Sequence, residues 1–330
     1  MPSPALAPAS EPDRLDLRGI AAFLVLVLGL TWTIEYFALV RPGVRLSPAP
    51  PAWAIGLLFV MMYIPALSAF IVRRWITREG FASAGLRFGG WRPYAAIALG
   101  VPLLFTLVYL VTWGLGLGHP DFALHGLRDL VAQQAPEAAA ALPSAGVLMP
   151  LLFIAALFKP TLGCLTTFGE EFGWTGYLAP KLLPLGKWNA ALLYGTVWGL
   201  WHAPIIWMGF NYPGHPRAGI VWMCLFTIAA GMIQLGLRLK TGSVFVTTFF
   251  HAAINAQGGG LWPILFLGNN PLWGGITGLT GIIALGAVGA TLLARQRVPL
   301  VSIAPSATAT VPAPSDTAPN SAWVPAPGNF

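Results

Sequence analysis

Five polar residues stand where an apolar chain should have none. They are Glu170 and Glu171 in "FGEEFGWTGYLAP", His202 in "WGLWHAPI", and His251 with Asn255 in "FFHAAIN". A charge taken out of water costs heavily unless it is paired or used. A carboxylate beside an imidazole can take a proton from water and so make a nucleophile. A second imidazole and an amide N–H can donate to the oxyanion formed when that water adds to a carbonyl. Together these groups are the equipment of an acyl-bond hydrolase. A carboxylate with two imidazoles is also a zinc ligand set, so Glu170, His202 and His251 are candidate ligands if a metal is used. No H-E-x-x-H is present, which removes the common zincin arrangement. The bland alternative is a polar network that only ties helices together.

Spacing says which groups can meet. On a helix, residues four apart share a face, so His251 lies above Asn255 and the His202 ring is expected to stack on Trp198. Glu170 and Glu171 are about 100° apart on a helix and cannot aim at one spot. Glu170 shares its face with Trp174, and Glu171 shares its face with Thr175.

The elements that must carry these groups follow from composition. The chain is 56% hydrophobic and 9% charged, with mean hydropathy +0.71, whereas a soluble domain has about 25% charged residues. Long apolar runs in lipid must be helices, because lipid satisfies no free backbone group. The reading is an all-α polytopic membrane bundle of about eight transmembrane helices. The spans fall at roughly 18–40, 52–73, 92–115, 147–178, 188–209, 219–238, 243–261 and 274–294. Pro160 is expected to kink or break the fourth. The transmembrane domain is 18–297, flanked by Pro/Ala/Ser-rich segments 1–17 and 298–330 that are predicted to be disordered. The first of these lacks the basic n-region of a signal peptide. Counted at about 1.5 Å per residue, Glu170 and His251 both lie about 12 Å from the cytoplasmic side, and His202 about 20 Å.

The net charge of +7 invites a nucleic-acid reading, but its distribution explains it otherwise. With the N-terminus inside, 13 basic residues face the cytoplasm, and only Arg41, Arg45, Arg128 and Arg217 face out. That is the positive-inside pattern, which needs no nucleic acid partner and puts both termini in the cytoplasm. Cys164 and Cys224 lie in spans with neither disulfide nor metal spacing. Glu35 is expected to snorkel outward or to pair with a buried donor. Lys159 is expected to pair with a carboxylate or to cap carbonyls freed at Pro160. The connection 116–146 is expected to hold a short surface helix, with His119, Asp121, His125 and Asp129 as solvated loop residues, and His215 is expected to be loop too.

The stretches "EEFGWTGYLAPKL", "WGLWHAPI" and "FFHAAIN" resemble, in order and in membrane setting, the three motifs of the CAAX-protease and bacteriocin-processing family, also called CPBP or Abi. The resemblance covers roughly residues 145–260. It implies an all-helical intramembrane endopeptidase of about eight spans, embedded in the lipid bilayer and acting on a membrane-associated peptide or protein. It further implies Glu170 as general base on water with His202, Glu171 in support, and His251 with Asn255 as oxyanion hole. The resemblance implies a metalloprotease, with zinc as the candidate metal, while a metal-free, glutamate-activated water suits the same residues, and both forms stay open. Two residues depart from its pattern: Trp198 stands where Phe is usual, and Thr175 where the motif has Arg. An Arg there would pair with Glu171 one helical turn away. Without it, Glu171 is expected to take up a proton or to find Lys159 or Lys181.

The chain has 14 Arg against 4 Lys and abundant Ala, Gly and Pro, which points to a GC-rich bacterial genome and a bacterial plasma membrane. Thr175 also motivates an inactive scaffold or bacteriocin self-immunity protein. A proton-coupled transporter using Glu35, Glu170 and Glu171 ranks last, because no paired repeat of broken helices is present.

Overall fold

The structure is a computed structural model that describes residues 15–46 and 50–297. The predicted disordered segments lie outside it, apart from residues 15–17 and their continuation into the first helix. Each of the eight predicted spans contains helix, the last only from Leu279 onward. Five of the helices are long and apolar enough to cross a membrane: Leu17–Val40, Ala52–Ile76, Trp91–Gly114, Ala145–Leu185 and Pro216–Thr241. The molecule is a helical membrane bundle, as its composition requires. Its outer surface carries large side chains such as Leu99, Leu103, Phe158, Leu162 and Leu165, each at least 68% exposed. In water such a surface would drive association; in lipid it is the natural coat.

Helix α1 (Leu17–Glu35) starts where the Asp16 carboxylate accepts the Gly19 N–H at 2.8 Å, satisfying a donor the first turn leaves free. The second span is interrupted between α2 (Ala52–Met61) and α3 (Ile64–Ile71), where Pro65 opens the new helix. Then come α4 (Trp91–Gly114), short surface helices α5 (His125–Gln134) and α6 (Pro136–Ala140), and the long α7 (Ala145–Gly173). Helix α7 runs through Pro160 without a break. Its departure from α geometry comes later, in a π turn at Trp174–Leu178 that leads into α8 (Ala179–Leu182).

The remaining helices are α9 (Lys187–Trp201), α10 (Ala203–Trp207), α11 (Pro216–Thr241), α12 (Val244–Ala256), α13 (Trp262–Leu265) and α14 (Leu279–Ala294). A two-residue ladder pairs β1 (His119–Pro120) with β2 (Phe266–Leu267), the described strands in an otherwise helical chain.

Two helix pairs pack extensively, α7 against α12 and α9 against α11. Small residues bring the second pair close. A Cβ on Gly195 would lie 2.5 Å from Ile228 Cα, and one on Gly199 would lie 2.5 Å from Cys224 Cα. Close backbone approach replaces the hydrophobic drive that lipid cannot supply. Thr227 adds a hydrogen bond across that contact, donating to Gly195 O at 2.8 Å. In the first pair, Thr167 donates to Thr248 O at 3.1 Å. These contacts hold the C-terminal half of α9 on α11 and the last turns of α7 on α12.

Candidate active site

Each motif sits beside a break in its helix. Glu170 and Glu171 precede the π turn at Trp174–Leu178, His202 is the residue between α9 and α10, and Asn255 precedes a second π turn at Gln257–Leu261. Such irregularities shift side-chain directions and recur at functional sites.

Glu170 is 3% exposed, and its Oε2 accepts two indole N–H groups, from Trp198 at 2.8 Å and from Trp174 at 3.3 Å. An indole can only donate, so this oxygen must accept, and any proton on the group sits on Oε1. Glu171 is fully buried, and three groups hold its carboxylate. His251 Nδ1 lies 2.9 Å from Oε1, the Gln234 amide donates to Oε1 at 2.6 Å, and the Thr175 hydroxyl lies 2.9 Å from Oε2. The expected recourse to Lys159 or Lys181 is not taken. Lys181 bridges Asp16 and Glu79, and Lys159 is exposed with its ammonium near Gly260. No carboxylate pairs with Lys159 among the described residues.

His202 does not stack flat on Trp198; the rings are tilted by 54° at 6.3 Å. Its ring is instead fixed through Nδ1, 2.9 Å from Trp198 O, with the Trp201 ring edge-on at 4.7 Å. A carbonyl only accepts, so Nδ1 carries the proton and Nε2 presents the lone pair. His251 packs edge-on to Trp198 at 5.2 Å. One indole thus donates to Glu170 and touches both imidazoles. Glu170 Oε1, His202 Nε2 and His251 Nε2 have no protein partner among the described residues. Those are the atoms a reacting water and carbonyl would need.

Asn255 lies one turn beyond His251 on α12 and is exposed, with no hydrogen bond to the other four among the described residues. Among the described residues, no three His, Cys, Asp or Glu are placed to hold a metal ion. Glu170, His202 and His251 have the chemistry of a zinc set but not its spacing.

Two further residues belong here that sequence reasoning missed. Gln234 is fully buried on α11, between Glu171 and the Tyr194 hydroxyl, which donates to it. Thr247, on α12, lies 2.7 Å from the Thr175 hydroxyl. A buried Gln in a span was the available signal for the first.

The other ionisable residues lie apart. Glu35 is 2% exposed; it neither snorkels nor pairs, and its Oε2 has no partner. Asp121 is a correction: it is 4% exposed rather than a solvated loop residue. It accepts the Gly126 N–H at 2.8 Å, and His125 Nδ1 lies 3.2 Å away.

Residues 138–257 match the family model described as type II CAAX prenyl endopeptidase Rce1-like. The matched segment is similar to that family. All five motif residues fall inside it. Over 109 residues the chain is 31% identical to the CAAX prenyl protease 2 of Methanococcus maripaludis, a match covering 31% of this chain and 39% of that relative. The chain thus spans about two fifths of the length of the curated relative it matches. Helices α1 to α5, the start of α6, and α13 and α14 lie outside the matched segment.

Proposed function

We propose that the chain is an intramembrane endopeptidase that hydrolyses a peptide bond in a membrane-associated protein or peptide. One observation carries the reading: the 2.9 Å contact of Glu171 with His251, set beside a Glu170 whose one oxygen is pinned by two indoles. Glu170 Oε1 and His202 Nε2 take the proton from a water, which adds to the substrate carbonyl. A proton on His251 Nε2 makes that ring a cation, balanced by Glu171, and gives it an N–H for the oxyanion. Asn255 supplies the second donor from the same face of α12. The proton held by Glu170 or His202 then passes to the leaving amine. The donor positions support a metal-free form of this reaction.

Thr175, the motive for an inactive scaffold, is in this arrangement a partner of Glu171. The distribution of basic residues supports cytoplasmic termini in a bacterial plasma membrane. The test is cleavage of a membrane-anchored peptide library by the purified full chain. Glu170→Gln should abolish turnover; unchanged turnover would sink the reading.

A further inference from the structure

The end of α7 and the π turn that follows it meet helix α11 at two matching steps. Glu171 and Thr175 are four apart on one side, and Gln234 and Arg238 are four apart on the other. The first step joins Gln234 Nε2 to Glu171 Oε1 at 2.6 Å, and the second joins Arg238 Nε to Thr175 O at 3.1 Å.

The second step meets a defined backbone need. In the π turn the Ala179 N–H goes back five residues to Trp174 O, not to Thr175 O. The next residue, Pro180, has no N–H to give. The carbonyls of Thr175 and Gly176 are therefore left without helical donors. Arg238 takes the first, and the buried Arg73 takes the second with Nη2 at 2.8 Å. A guanidinium presents several donors in a fixed fork, which suits this task. Arg238 uses another arm, Nη2, on Ser83 O at 3.0 Å.

We propose that Gln234 and Arg238 are positioning residues for this site. Gln234 fixes the Glu171 carboxylate against His251, and Arg238 holds the π turn so that the Thr175 hydroxyl stays on that same carboxylate. Neither residue touches the reacting atoms; both act through Glu171. The inference rests on the proposed peptidase reading for its kinetic consequence, but not for its geometry.

The experiment uses the full chain in nanodiscs, with a membrane-anchored fluorogenic peptide and, separately, 15N-labelled histidine. Gln234→Leu should lower kcat by about tenfold or more with KM within about twofold, the split expected when orientation but not binding is lost. Arg238→Met should do the same more mildly, and Arg238→Lys should recover most of the loss. In the NMR arm, the His251 imidazole signals, assigned by their loss in His251→Gln, should move in Gln234→Leu. Should Gln234→Leu fail to fold, the two Arg238 variants carry the test alone. Parent-like kcat together with unmoved His251 signals in folded variants would overturn the proposal. If the parent cleaves nothing yet the His251 signals still move, the peptidase reading falls and the positioning stands.

Discussion

The His251 ring is anchored to Glu171, its Nδ1 2.9 Å from the Glu171 Oε1, across the α7–α12 contact. This pair turns a buried carboxylate from a liability into the group that orients an imidazole and balances its charge. Glu171→Gln keeps the shape but removes the charge. It should lower kcat by about 10²-fold or more, the range seen when an oxyanion donor is lost, with little change in KM. Steady-state kinetics on a membrane-anchored peptide measures it, and a KM effect alone would point to a role in substrate binding instead.

Trp198 deserves its own variant because it touches three site residues. Trp198→Phe keeps the aromatic body but leaves Glu170 Oε2 with only the longer Trp174 bond of 3.3 Å. A hydrogen bond to a charged group contributes about 1.5–3 kcal/mol. Turnover should therefore fall by roughly tenfold or more, while the helical circular dichroism stays unchanged.

Glu35 makes the opposite case. Its Oε2 is buried without a partner, and leaving such an atom unmet costs about 1–3 kcal/mol. Glu35→Met should raise the melting temperature by several degrees and leave peptide turnover unchanged. A loss of turnover with normal folding would mean that the carboxyl takes part in proton movement.

Asp121 predicts a pH dependence outside the spans. Burial alone would push its carboxyl up, but the Gly126 N–H and His125 outweigh that and hold it below the usual carboxylate range. A carboxyl depressed in the folded state stabilises above its unfolded value, near about 3.9, and that stabilisation is lost as pH falls through the folded value. Asp121→Ala should therefore lower the melting temperature at pH 7 and change it much less near pH 3. An equal effect at both pH values would contradict the assignment.

Metal removal gives the last test. With no three candidate ligands gathered among the described residues, dialysis against a chelator should leave peptide turnover intact, and purified protein should carry far less than one zinc per chain. Loss of turnover restored by added zinc would overturn the metal-free form.

Some of this was legible in the residue order alone. Apolar runs of span length dictated helices, since lipid offers no other way to satisfy the backbone. The i, i+4 spacings correctly paired Glu170 with Trp174 and Glu171 with Thr175, because those relations are internal to one helix. Intramembrane Glu and His stood out against an oily background and marked the candidate site residues. The same rules missed Gln234, which carries no charge. They also misplaced Asp121, whose burial depends on how a loop folds back on α13.

The sequence by itself determined the kind of protein, the helical segments and which side chains had to be removed from lipid, because each of those follows from local composition and helical period. The tertiary structure alone decided who meets whom. That His251 rather than a lysine answers Glu171, that Trp198 joins α9 to Glu170, and that Arg238 serves a carbonyl stranded by Pro180 all depend on the crossing and register of separate helices. Those relations are set by close packing at Gly195 and Gly199 and by the interhelical bond from Thr167. Interactions between residues so far apart in the chain leave no periodic trace in it.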